Sequence, residues 1–313
     1  MALYDLVCFK KSLAAAVNAD GAVQELNELC RRLHNVKGEI TNISDEHLNY
    51  INGLIDTYEQ LIKQVQEPID EFSNKLKLID NEIATLSYKL FANNYELEER
   101  VPPFEHVRDI RRIHVSEELE EIIKQRILVH NSWRYPSLEI GCREGDWTQF
   151  MIAADPLYIM DRYTEFLDIT NSKFPIEYQR RLRKYPLINH DLSVLPQGQM
   201  AFAFSWGYFN YISVDTMHQV LKQMRNVLRP GGVFMFSYND GDTPAGAGMA
   251  ENFAQSYMPK SLLVPLCLSL GFEVIKESIY GSNTHWIEIR RPGQLHTVKA
   301  HQVFGEIRNR GVM

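Results

Sequence analysis

The chain has 313 residues, 45% hydrophobic and 23% charged, with a formal net charge of −7. That length is a soft prior of about two domains, and the composition can bury a sizeable core, which excludes a disordered or fibrous protein. An acidic chain gains nothing from counterion release on a nucleic acid without a local basic patch. The best such patch, Arg108-Asp109-Ile110-Arg111-Arg112, is short and contains an acid, so it reads as a solvated helix face and nucleic acid is not an expected partner.

The N-terminal third carries a helical pattern. Lys10 and Lys11 interrupt the first apolar stretch, the wrong order for a secretory signal. Leu26, Leu29, Leu33, Val36, Ile40 and Ile43 then recur every three or four residues. After Gly38 and Ser44-Asp45-Glu46, which reads as a helix start, a second series runs in a different phase. It places Leu48, Ile55, Ile62, Ile69, Leu76, Ile83 and Leu90 at a, and Ile51, Tyr58, Val65, Phe72, Ile79 and Leu86 at d. A 3.5-residue repeat of that length predicts a coiled coil. Ile at a with β-branched or aromatic d positions favours a homotrimer over a dimer. A helix from 45 to 92 would be about 70 Å long, more than one small domain can cover, although an intrachain bundle is the alternative. Pro68 should kink it or remove one hydrogen bond.

Val101-Pro102-Pro103 closes the rod. Ser116-Glu117-Glu118 opens a short helix with Leu119, Ile122, Ile123 and Ile127 on one face. The period then changes. Residues 136–140 read as a buried strand, Gly141 to Gly145 as a turn, and the chain from Asp146 as a helix. Leu157 to Met160 is a second apolar run ending at Asp161. Leu187 to Leu192 is a third unit and Met200 to Ser205 a fourth. A helix over Val214 to Leu228 leads through Arg229-Pro230-Gly231-Gly232 into a strand at Val233 to Ser237. Gly271 to Ile275 and His285 to Ile289 supply the last two. Strand, glycine turn and helix in that order suit a nucleotide-like ligand, and an acid ending the second strand suits ribose hydroxyls.

Over residues 131–293 the chain resembles the class I S-adenosylmethionine-dependent methyltransferases. The residues that carry the likeness are Leu138-Glu139-Ile140-Gly141-Cys142 to Gly145, then Asp161, then His190-Asp191-Leu192 with Leu195-Pro196. Phe204-Ser205 with Phe209-Asn210-Tyr211-Ile212 and Leu228-Arg229-Pro230-Gly231-Gly232 complete it. The resemblance implies an α/β fold: a Rossmann-like, seven-stranded, mostly parallel sheet with an antiparallel final strand. It implies S-adenosylmethionine as cofactor. Gly141, Cys142 and Gly145 would lie against its amino acid part, with Glu139 organising the loop. Asp161 would hold the ribose, Asp191 and the backbone of Leu192 the adenine, and Ser205 with Trp206 would sit where the methyl group points.

Two positions depart from the family pattern. Arg143 replaces the middle glycine, where it could crowd the ligand, swing outward or pair with the ligand's carboxylate. Met200-Ala201-Phe202 lacks the acid that usually begins the fourth strand. The acceptor motifs of DNA amino-methyltransferases, cytosine C5 enzymes and magnesium-dependent catechol-type enzymes are all absent. Candidate bases are His190, His218 and His285, with Tyr208 and Tyr211 as polar lining; each has a plainer structural reading. Asp240 to Gly248 reads as a small-residue loop, either a lid over the acceptor or plain surface.

Cys8, Cys30, Cys142 and Cys267 are scattered, without Cys-x-x-Cys spacing. That argues against disulfides and structural zinc, so no metal is expected, and it suits a reducing compartment. The longest apolar run, Leu262 to Leu270, is too short to span a membrane. The expected organisation is a helical oligomerisation segment at 1–100, a linker and leading helix at 101–130, the methyltransferase-like domain at 131–293 and a basic tail at 294–313. The expected function is a cytoplasmic methyltransferase of unknown acceptor, held in an oligomer by its stalk. The alternative is a non-catalytic structural protein, such as a virus-particle component in a larger assembly, built on a degenerate form of the fold.

Overall fold

The computed structural model describes residues 3–17, 27–28, 30–32, 34–35, 45–100, 104 and 115–294. The earlier apolar series from Leu26 to Ile43 falls largely outside the described residues. The double proline, the Arg108–Arg112 patch and the tail beyond 294 fall outside them entirely. The chain divides into two compact units, Met1–Lys89 and Leu90–Met313.

In the first unit, α1 spans Leu3–Val17 and α2 begins at Asp45, where the start signal stands, and runs to Glu99 through Pro68. Leu6 of α1 is buried with Ile79 of α2, flanked by Phe72, Leu76, Ile83 and Leu86. Part of the a/d stripe is therefore covered within the chain. Lys10 and Asp80 add an ion pair at 2.8 Å, which is solvent-exposed and contributes little. The last turns of α2, from Leu90, belong to the second unit.

The second unit holds a seven-stranded mixed sheet. Its strands are β1 (Ser137–Ile140), β2 (Leu157–Asp161), β3 (Leu182–Pro186), β4 (Met200–Ser205), β5 (Leu228–Tyr238), β6 (Glu273–Tyr280) and β7 (Thr284–Arg290). The order is β3-β2-β1-β4-β5-β7-β6. β7 runs antiparallel to both its neighbours, and the remaining pairings are parallel. β1 and β4 are buried along their whole length, as central parallel strands covered on both faces must be.

Helices α3 (Glu117–His130), α4 (Thr164–Ser172), α5 (Ile176–Gln179), α6 (Val214–Val227), α7 (Pro244–Glu251) and α8 (Lys260–Ser269) complete the unit. α6 buries Met217, Val220, Leu221, Met224 and Val227, a stripe at helical spacing, and each such side chain contributes about 1.5–3 kcal/mol. Ser213 caps its start by accepting from the Thr216 N–H. α3, capped by Ser116, buries Leu119, Ile123 and Ile127, while Ile122, expected beside them, is exposed.

Several expectations shift. The helix expected from Asp146 is one turn of 3₁₀ helix, Thr148–Phe150. Its side chains are drawn to different places, Thr148 to Glu139 and Trp147 onto Phe204 and Trp206, so no helical face repeats. The third strand is Leu182–Pro186, and Leu187 to Leu192 is the loop that follows it. β3 is an edge strand with Arg183 and Lys184 exposed, so it lacks an apolar signature. β5 already begins at Leu228, its register slipping between Met200 and Phe202. The Asp240–Gly248 stretch is pinned rather than loose. Thr243 caps α7, Asp240 and Asp242 accept from the backbone N–H groups of Lys260 and Ser261 at the start of α8, and a Cβ on Gly246 would lie 2.0 Å from the Asp240 carbonyl.

Candidate functional site

The parallel register puts Ile140, Asp161 and Ser205, the last residues of β1, β2 and β4, at one edge of the sheet. Ligands in open α/β sheets bind outside that edge. A cavity of about 440 Å³ lies there, lined by residues that include Gly141, Cys142, Arg143, Asp161, Trp206 and Tyr208. That size is within the range of small-molecule sites.

Asp161 is the organising group. One carboxylate oxygen accepts from the Arg143 backbone N–H at 3.0 Å and the other from that of Tyr163 at 3.0 Å. Burial pushes its pKa up, and these bonds work against the rise, leaving it at about 6. Each oxygen has two lone pairs, so the carboxylate can still receive ligand hydroxyls. Arg143 adopts φ +47°, keeping the backbone path that a glycine would take. Its guanidinium lies 5.7 Å from the Phe166 ring centre, on the cavity wall, with the hollow beside it.

Gly141 takes φ +76°, and a Cβ there would stand 3.2 Å from Tyr208 Cβ. Gly145, at φ +81°, makes room for Thr170 of α4, whose Cγ2 a Cβ would meet at 2.9 Å. Glu139 is fully buried and accepts from the Thr148 hydroxyl at 2.6 Å. Burial raises its pKa to about 8, against that hydrogen bond, so at neutral pH it is chiefly the uncharged acid.

The other expected site residues are engaged away from the lining. The Ser205 hydroxyl donates to the Ile140 carbonyl at 2.9 Å. The Asp191 carboxylate accepts from the backbone N–H and hydroxyl of Ser193, and the Leu192 N–H donates to Gln223 Oε1 at 2.7 Å. So the structure brings Gly141, Cys142, Asp161, Tyr208 and Tyr211 to the cavity, and Glu139, Gly145, Asp191, Leu192 and Ser205 stand outside its lining.

Among the candidate bases, His218 is exposed on α6. His285 is buried in β7 with Nδ1 3.7 Å from Asp240. His190 joins Tyr208: its Nδ1 bonds the Tyr208 hydroxyl, and its Nε2 lies 2.8 Å from Glu98 of α2. Glu98, Trp147, Arg162, Tyr163 and Phe166 escape a motif search, since no spacing ties them to the glycine turn. The one group of potential metal ligands among the described residues is Cys30, His34 and Glu59, in the first unit. The 3.3 Å His34–Glu59 pair accounts for their closeness. The described cysteines are free thiols, and no described helix is long and apolar enough to cross a membrane.

Residues 138–232 match the methyltransferase domain family. The domain resembles the class I S-adenosylmethionine-dependent enzymes in its motif order. No curated protein matches the chain. Among solved structures, an S-adenosylmethionine-dependent methyltransferase from Mesorhizobium loti is 13% identical, with a TM-score of 0.46 over 55% of this chain and 97% of that one. The geranyl diphosphate C-methyltransferase of Streptomyces coelicolor A3(2), solved with Mg²⁺, geranyl diphosphate and S-adenosyl-L-homocysteine, is 10% identical. Its TM-score is 0.47 over 56% of this chain and 81% of that one.

Proposed function

We propose that the methyltransferase-like domain binds S-adenosylmethionine in the 440 Å³ cavity and transfers its methyl group to an acceptor. The observation that carries this reading is Asp161: a buried carboxylate at the end of the second strand, facing a ligand-sized hollow with lone pairs to spare. The residues present fit the ligand. The Gly141 turn keeps the backbone low, Asp161 would take the ribose hydroxyls, and Trp147, Tyr163, Phe166 and Trp206 offer flat apolar walls for the base. The sulfonium supplies a methyl group that is already electrophilic, so the protein's task is chiefly to align it with the acceptor.

Arg143 supports this reading where it stands, because its backbone N–H fixes Asp161 and its guanidinium rests against Phe166. It is also a suitable cation for the ligand's carboxylate. With Asp191 turned to Ser193, the adenine would be held by shape and ring contact more than by that acid. Titration calorimetry with S-adenosylhomocysteine tests the proposal. Micromolar binding to the wild-type chain is expected, and no heat at hundreds of micromolar ligand would sink it.

Self-association through α2 belongs to the same proposal. Tyr58, Ile62 and Val65 of the a/d stripe remain half-exposed, and further copies of the helix would cover them.

A further inference from the structure

Leading outward from the cavity wall, three polar side chains stand in line. Glu98 comes from the last turn of α2, His190 from the loop after β3, and Tyr208 from the segment after β4 that packs over Gly141. Each has been fixed by its surroundings. Glu98 accepts from the Ser213 backbone N–H at 2.8 Å and the Thr216 hydroxyl at 3.1 Å, both at the start of α6, as well as meeting His190 Nε2 at 2.8 Å. Burial works against its charge, but those bonds outweigh burial and hold its carboxyl down at about 2. His190 adopts φ +57° directly after Asn189 at φ +49°. Two consecutive non-glycine residues in that region are uncommon and strained. Gln223 holds the turn by donating to the His190 carbonyl at 3.0 Å while accepting from the Leu192 N–H. Tyr208 lines the cavity, where its oxygen feels both the Arg162 cation and the Asp161 carboxylate.

We propose that Glu98, His190 and Tyr208 form a proton relay for a methyl acceptor that reacts through a hydroxyl group, with Tyr208 next to the acceptor and Glu98 as the positioning residue. The inference rests on the methyltransferase reading above. Its logic is that of a carboxylate orienting an imidazole, which in turn accepts a proton from a hydroxyl. Glu98 beside Nε2 fixes the tautomer that carries its proton there, so Nδ1 is free to accept from Tyr208. Burial raises the Tyr208 phenol above its ordinary value, so it stays protonated and passes protons on rather than holding a charge.

The step balances. As the acceptor oxygen forms its bond to the methyl carbon, the carbon–sulfur bond breaks with its electron pair going to sulfur. The acceptor proton moves to Tyr208 Oη, and the Tyr208 proton moves to His190 Nδ1. The products are a methyl ether, a thioether and an imidazolium facing ionised Glu98. An amine acceptor arriving neutral could also use the relay. A hydroxyl needs it more, since oxygen is the weaker nucleophile while its proton remains.

Nitrogen NMR of the full-length protein with ¹⁵N-labelled histidine tests this without a known acceptor. His190 is identified by its loss in H190Q, and the same proteins are titrated with S-adenosylhomocysteine. The expected spectrum at pH 8 is a neutral imidazole protonated at Nε2 with a downfield Nε2 proton. In Y208F the Nδ1 resonance moves downfield as its donor is lost, and in E98Q the Nε2 proton moves upfield. E98Q, whose side chain stands outside the cavity lining, keeps ligand affinity within about threefold of wild type. A proton on Nδ1, a permanent imidazolium at pH 8, or a spectrum unmoved by both variants overturns the relay. Failure of the wild type to bind the ligand removes the methyltransferase reading and the relay's role with it, and the unchanged His190 spectrum tells that failure apart.

Discussion

Asp161 ends β2 and Glu139 lies within the neighbouring strand β1, and their environments give them different tasks. Asp161 keeps two backbone partners and a cavity face, so its removal should cost ligand directly. D161A is expected to weaken S-adenosylhomocysteine about 100-fold by calorimetry, the size of two hydrogen bonds to a charged group. Glu139 is buried behind the loop and has its pKa raised to about 8. A carboxyl raised above its unfolded value binds more protons in the folded state, so its contribution to stability is full below about pH 4.5 and disappears as pH rises through about 8. The melting temperature should therefore fall between pH 5 and 8.5, and E139Q, which keeps the shape without the titration, should flatten that fall. A steeper slope in E139Q would show that the charge is needed.

Elements are tied to the sheet by a few charged clamps. Glu288 of β7, with no solvent exposure, accepts Arg126 at 2.6 Å and meets His130 at 2.8 Å, both from α3. Burial opposes its ionisation, but His130 and Arg126 hold its carboxyl at about 2. Since that value lies below the unfolded one, the clamp contributes above about pH 4.5 and is lost only as pH falls through about 2. R126M would leave a buried carboxylate with one partner and should cost about 3 kcal/mol in urea unfolding at pH 7. Asn94 of α2 donates to the Tyr257 carbonyl and accepts its N–H. N94A strands both backbone groups and should cost about 1–3 kcal/mol.

At the scale of the whole chain, the division at Lys89 and Leu90 cuts α2 short of its C-terminal turns. A chain beginning at Leu90 keeps Asn94 and Glu98 and should retain ligand affinity. One beginning at Val115 loses both and should melt several degrees lower. The proposed self-association would use the half-exposed stripe of the first unit: light scattering of the full chain is expected to give a trimer, and a monomer would show that α1 and its neighbours cover the stripe alone.

The amino-acid sequence determined the type and order of most strands, the long helix with its start near Asp45, and Asp161 as a cavity residue. Each rests on a local rule: alternation of burial, a 3.5-residue repeat, or an acid at a strand end. It misplaced the third strand because an edge strand needs no apolar run, and it read a loop at Asp240–Gly248 because close backbone packing around Gly246 leaves no periodic trace. Only tertiary structure decided that Ser205 spends its hydroxyl on the Ile140 carbonyl, and that Glu98 stands beside a histidine 92 positions further along the chain. Hydrogen bonds between residues so far apart depend on where the backbone folds back, and no local pattern encodes that.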